Sequence, residues 1–246
     1  MVGYSRRSTA GSRGRPRPPA GSRFRRGRRH FIGGAVNSSY HHDASDCQCA
    51  VPSVDFRRPG GNVTGVYGVL RDLGGKRIGL LHDLLPRATT IAVLNQISSG
   101  TDVQEAARVL GLQIKFLTAW TDRELDAALA SLAQMRPDAL MVATSPLSFT
   151  RADKIVAVAE QLAIPATYWR REFVLAGGLM SYGVNTDERF QVMGEYTGRI
   201  LKGEKPGDLP IQRLTSFEFV INLKTAKALG ITLPPGIRSI ATEVIE

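Results

Sequence analysis

From Gly75 to the C-terminus, two rhythms of apolar and polar positions take turns along the chain. Helical spacing sets Ile78, Leu81, His82 and Leu85 on one side of residues 76–85, which Pro86 stops. The β-branched run 89–95 predicts a strand, 101–110 a helix closed by Gly111, and 113–119 a second strand. Residues 122–135 carry apolar Leu125, Ala128, Leu129 and Leu132 at helical spacing. Thr121 and Glu124 before them form the pattern of a capping box. Strands follow at 139–143, 166–168, 179–182 and 217–221, and helices at 151–162, 171–176, 187–201 and 223–229. Asn222 is placed to cap the last helix and Gly230 to close it. Short strands alternating with longer helices predict an α/β fold with a doubly wound, mostly parallel sheet. No internal repeat is visible.

Residues 1–50 break this pattern. They are rich in Arg, Gly, Ser and Pro, and cannot bury enough apolar surface to offset the entropy of ordering. Of the net charge of +10, residues 1–58 supply +9, from twelve Arg and three Asp. The basicity thus belongs to this segment, read as a disordered arm or as translated sequence foreign to the native protein. A nucleic-acid-binding tail is the competing reading, but aromatic interleaving and any binding module are missing, so no nucleic-acid partner is expected. Cys47 and Cys49 are too close for an unstrained disulfide. With His41, His42 and Asp46 they match no common zinc spacing, and no metal is expected. No apolar run approaches the roughly 18 residues that cross a bilayer. Arg28-Arg29 faintly resembles the head of an export signal, but polar residues 36–43 follow where an apolar stretch should stand.

In an open parallel sheet, ligands bind beyond the carboxyl ends of the strands. That rule selects Asn95 to Ser99, then Trp120, then Thr144, Ser145 and Pro146, then Trp169, Arg170 and Arg171, and finally Tyr182 with Gly183. Hydroxyls, amides, rings and guanidinium groups of this kind suit a small zwitterion or carboxylate. Each position has a plainer reading beside it. Ser98 and Ser99 fit a loop, Thr144 and Ser145 a strand-to-helix turn, and Trp120 a surface ring. Arg170 and Arg171 also fit solvated charges, and Tyr182 a core ring. No nucleophile elbow, phosphate loop, dinucleotide fingerprint or zinc-protease motif occurs, so neither an enzyme nor a cofactor is expected. His82 reads as a packing or surface residue.

Four further segments carry a family likeness over roughly three quarters of the chain. They are the run from Arg58-Pro59-Gly60-Gly61 to Thr64-Gly65, the run Gly177 to Gly183, the run Ile200 to Pro206, and the run Phe217 to Gly230. Together they resemble the substrate-binding proteins of ABC transporters, of the tryptophan- and tyrosine-binding kind with the type I periplasmic binding fold. The resemblance implies a non-enzymatic binder of an amino acid or small carboxylate, with a permease and an ATPase as partners. It implies ligand contacts from Asn95, Ser98, Ser99, Thr144, Ser145, Trp169, Arg171 and Tyr182, and hinge roles for Thr64, Gly65 and Gly183. It divides the chain into the arm 1–50, a segment 51–74 leading into the hinge, an α/β ligand-binding lobe 75–183, and C-terminal crossover elements 184–246. The first binding loop often reads Tyr-Asn-Pro in such proteins and here reads Leu94-Asn95-Gln96, so ligand identity does not carry over.

A first lobe should precede Pro59, and residues 1–58 lack the βα units to build one. The expectation is therefore a truncated binding protein with apolar surface exposed on the returning elements, prone to self-association. The family implies a periplasmic location, whereas the missing export signal implies a cytoplasmic one for the chain as written. A ligand-sensing domain of a transcription regulator, with the basic arm on DNA, is the alternative. A flavodoxin-like enzyme is the third.

Overall fold

The computed structural model describes residues 55–68, 73–96 and 100–246. The Arg-rich arm, the Arg28-Arg29 run, the group from His41 to Cys49, and Ser98 and Ser99 lie outside the described residues. In chain order the elements are β1 (Val66–Gly68), α1 (Gly74–Leu84), β2 (Thr90–Asn95), α2 (Thr101–Leu110), β3 (Gln113–Thr118), α3 (Asp122–Met135) and β4 (Ala139–Val142). Then come α4 (Pro146–Thr150), α5 (Ala152–Gln161), β5 (Ala166–Tyr168), α6 (Arg171–Leu175), β6 (Met180–Val184) and α7 (Thr186–Leu201). The chain ends with β7 (Gln212–Leu214), β8 (Phe217–Asn222), α8 (Leu223–Ala228), α9 (Pro235–Ile240) and β9 (Glu243–Ile245).

Seven strands form one sheet in the order β3-β2-β4-β5-β6-β8-β9. Every pairing is parallel except β6 with β8. The doubly wound α/β architecture read from the sequence is therefore present. Its inner strands are buried on both faces, as a parallel sheet between helix layers requires. Ile91 and Val93 of β2 join Ala139 and Met141 of β4 in one core, packed with Ile78 and Leu81 of α1. Ala92 and Leu94 join Leu140 and Val142 in the other, with Leu125, Leu129 and Leu132 of α3. Side chains alternate faces along a strand, so one continuous apolar run serves both layers. At the edge, β3 alternates exposed and partly covered residues instead.

Local chemistry sets the element ends. Thr121 accepts from the backbone of Glu124, whose carboxylate returns to the backbone of Thr121, closing the capping box of α3. Asn222 caps α8 through the Thr225 amide at 3.0 Å. The single helix expected at 151–162 is two. Ser145 caps a short α4 with Pro146 in its first turn, and α5 starts after Arg151.

A second, smaller assembly is built from β1, β7 and α7. The strands pair in parallel, Val66 opposite Gln212. The Thr64 hydroxyl is buried and donates to the Leu209 carbonyl at 2.8 Å, and the Gly65 carbonyl accepts from Gln212 at 3.0 Å. Gly60 and Gly61 turn with φ of +66° and +62°, and a Cβ on the facing Gly207 would lie 2.7 to 2.9 Å from their backbone. Glycine is thus required on both sides of this contact. The Tyr196 hydroxyl fastens α7 to the Pro210 carbonyl at 2.7 Å. Only Tyr196 and Ile200 of α7 are buried, while Phe190 and Leu201 are exposed, as are Phe56 and Tyr67, whose rings stack at 5.2 Å.

Asp138 links the start of β4 to β2. Its Oδ2 accepts from the amides of Thr89 and Thr90 at 2.8 and 2.9 Å and from the Thr89 hydroxyl at 3.0 Å. These donors, the Thr89 amide first, hold the carboxyl below its usual range. A depressed carboxyl pKa stabilises above the unfolded value, near 4, and that contribution is lost as pH falls through the folded value. Asp138→Ala should cost about 1–2 kcal/mol at pH near 7. The gap from wild type, measured by urea unfolding, should shrink as pH falls below about 4.

Candidate functional site

Five parallel strands, β2 to β6, end on one edge of the sheet, and their exits line two neighbouring hollows. The first is formed by Leu94 and Asn95 at the end of β2, Ala119 after β3, Leu125 of α3, and Ser145, Leu147 and Ser148 after β4. The second is an open hollow between Trp169 and Arg170 after β5, Val184 at the end of β6, and Thr186 and Arg189 of α7. Trp169 joins them, because its indole N–H donates to the Ser148 hydroxyl at 3.3 Å.

The hydroxyl groups divide their labour. Ser145 accepts from the Ser148 amide at 2.9 Å and is thereby the cap of α4. Ser148 bonds the carbonyls of Ala143 and Ser145 at 3.1 and 3.0 Å. Thr144 Oγ1 is buried without a hydrogen-bond partner. An orphaned hydroxyl at a strand exit is costly unless another molecule pairs with it.

Asn95, Thr144, Ser145 and Trp169, all anticipated, therefore gather along one edge. Two other expected contacts, Arg171 and Tyr182, line neither hollow. The Arg171 guanidinium pairs with Glu243 of β9 at 2.9 Å. The Tyr182 ring stacks on Phe217 at 5.9 Å and meets Phe219 edge-on at 6.2 Å. Trp120 is a surface ring, 51% exposed. Ser148, Arg189 and Thr186 were not anticipated. They lie in the first turns of the helices that follow β4 and β6, and the strand-end rule stops one turn short of them. Arg170 was considered with Arg171, but the choice between them fell on the neighbour.

Arg170 pairs with Glu172 and lies 4.5 Å from the Phe149 ring centre and 5.5 Å from that of Trp169. Burial lowers the pKa of Arg189, and the positive Arg170 lowers it further, while Glu172 opposes both. Behind the site, Arg77 of α1 is buried and donates Nε–H to the Tyr182 carbonyl at 2.8 Å. Burial brings its pKa down to about 10. Glu218 of β8, opposite Gly183, is also buried. Its carboxyl is pushed up first by burial, then by Glu172, Asp187 and Glu243, against the pull of Arg171.

Gly183 has a packing reason to be glycine. A Cβ there would sit 2.1 Å from the Trp169 carbonyl oxygen. The backbones of β6 and of the β5 exit therefore touch in a way no side chain permits.

An open parallel sheet with polar groups at its strand exits, followed by a helix and strand that leave it and a strand that returns antiparallel, defines the periplasmic binding class of fold. The family model for "ABC transporter substrate binding protein" matches residues 51–245. The chain belongs to that family. It is 28% identical over 182 residues to a tyrosine-binding protein of Clostridioides difficile strain R20291, a match covering 72% of this chain and 52% of the relative. The chain thus spans about half the length of this curated relative. A domain from Streptococcus pneumoniae, solved in complex with L-Trp, superposes with a TM-score of 0.67 at 26% identity, covering 78% of this chain and 67% of that one. The ligand-free, open structure of a substrate-binding protein with adhesive properties from Clostridium difficile gives a TM-score of 0.55 at 25% identity, covering 80% and 66%.

Two outcomes follow from this geometry. Gly183→Ala should lower stability by about 2 kcal/mol or more, through overpacking against Trp169, and shift the tryptophan emission. Glu218→Gln should raise the melting temperature above neutral pH. A raised carboxyl pKa makes the ionised form a burden on the folded state, relieved as pH falls through the folded value. The advantage of the Gln variant should therefore vanish in acid, as scanning calorimetry at several pH values would show.

Proposed function

We propose that this protein is the solute-binding component of an ABC-type importer, working outside the cytoplasmic membrane with a permease and an ATPase. The solute is an amino acid or small carboxylate. The single observation that carries the reading is the set of polar and aromatic groups, Asn95, Ser145, Ser148 and Trp169, that line two adjoining hollows at the strand ends, with the partnerless Thr144 hydroxyl buried behind them. A ring for the apolar part and hydrogen-bonding groups for the polar part suit a ligand of this kind. The likeness to a tyrosine-binding protein and to a domain holding L-Trp supports aromatic amino acids as the first class to test.

In this reading β1, α7 and β7 belong to the opposing lobe. The paths from β6 to α7 and from β7 to β8 act as hinge segments, and closure of the lobes on the ligand is what the permease recognises. No helix among the described residues is long and apolar enough to cross a membrane, so the permease would supply the channel.

Thermal melting with a panel of amino acids and small carboxylates tests the proposal. At least one should raise the melting temperature saturably. Thr144→Val should keep or slightly raise the melting temperature of the free protein, since no internal bond is lost, while weakening that ligand by about tenfold. A panel without any saturable shift would refute the reading.

A further inference from the structure

One positive charge at the second hollow stands without an answer. Arg189 Nε is buried and has no hydrogen-bond partner. Among the described residues Arg189 makes no ion pair, and its guanidinium lies 5.1 Å from the ring centre of Phe190, its neighbour in the chain. Glu188 also keeps a buried oxygen without a partner and leaves Arg189 unpaired. Arg170 lines the same hollow and has one carboxylate partner, Glu172, which takes its Nε and Nη2 and leaves Nη1 as the donor for a further group. Two guanidiniums therefore share one carboxylate around this hollow. Burial first, and then the positive charge of Arg170, lowers the pKa of Arg189. The amides of Asp187 and Glu188 at the start of α7 are taken by the Asn185 side chain at 3.0 and 3.1 Å. Beside the Thr186 hydroxyl, the donors at this wall are guanidinium N–H groups.

We propose, on the basis of the amino-acid-binding reading above, that Arg170 and Arg189 together receive the carboxylate of the ligand. A planar fork of N–H donors matches a carboxylate in shape as well as charge. The excess is a single positive charge, which suits a monoanion better than a doubly charged phosphate. Trp169, whose ring lies against Arg170, forms the adjoining wall, and its bond to Ser148 connects the carboxylate end with the hollow at Asn95 and Ser145. This is the role that sequence reasoning gave to Arg171, which does not line this hollow and pairs with Glu243 of β9.

The chain has two tryptophans, so Trp120→Phe in the full chain leaves Trp169 as the only indole. Its emission, excited where tyrosine does not absorb, is followed during titration with three probes. These are L-tyrosine, hydroxyphenylpropionate, which lacks the ammonium group, and tyramine, which lacks the carboxylate. The two acids should bind at least about tenfold tighter than tyramine. Arg170→Gln and Arg189→Gln should each weaken both acids by about tenfold or more and leave tyramine unchanged. Arg189→Lys, which keeps the charge, should recover part of the loss, and melting curves establish that each variant is folded. Tyramine binding as tightly as L-tyrosine would overturn the proposal, as would Gln variants that bind the acids like wild type. In the second case binding of L-tyrosine survives and only the carboxylate assignment falls. If neither acid binds, the assignment falls, and the amino-acid reading falls with it only where the wider panel also gives no saturable melting shift.

Discussion

Strand β8 runs against β6 because the chain reaches it from outside the sheet. It leaves after Val184, builds α7 and β7, and returns at Phe217. Five register pairs, from Met180 with Ile221 to Val184 with Phe217, hold the two strands together. The outgoing and returning paths lie side by side where the Asn185 amide donates to the Ser216 carbonyl at 3.1 Å. Much of the rest depends on this pair. Without β8, β6 would be an open edge. Gly183 would lose Glu218 from the opposite position, and Arg171 would lose Glu243, which reaches it from β9 on the far side of β8. Arg77 anchors the same point from α1 by binding the Tyr182 carbonyl, one residue before Gly183.

The site shows how a small protein divides its polar groups between structure and chemistry. Ser145 and Ser148 are spent on capping α4 and on holding the Trp169 indole. These bonds tie the loop after β4 to its own carbonyls and to the β5 exit, beside Thr144, which has no internal bond of its own. Binding groups work best when neighbours with no other task hold them. A ligand arriving at such a site loses little free energy to rearrangement of the wall it meets.

Much of the fold was legible in the sequence where local chemistry and periodicity agreed. The helices over 101–110 and 122–135 have the bounds that caps and turn residues marked, Gly111 at one end and Thr121 with Glu124 at another. β1 and β7 were not legible, because each is three residues long and exists only through the other, far away in the chain, and β9 is an equally short strand at the edge of the sheet. The site followed the same division. Strand-end positions such as Asn95, Thr144 and Trp169 could be read from topology alone. That Arg170 lines the second hollow while Arg171 turns to Glu243 could not, since that ion pair is with a residue 72 positions away. Arg189 escaped because it sits a turn inside a helix, where charge on a partly exposed face looks ordinary.

The contact between Gly183 and the Trp169 carbonyl has a mechanical consequence. Gly183 stands at the point where the chain leaves the sheet, and the carbonyl it touches belongs to the residue whose ring forms the wall of the site. Backbone against backbone leaves no soft side chain between them to absorb displacement. Whatever occupies position 183 therefore sets how closely the crossing can approach the backbone that carries the indole, and with it the wall of the second hollow.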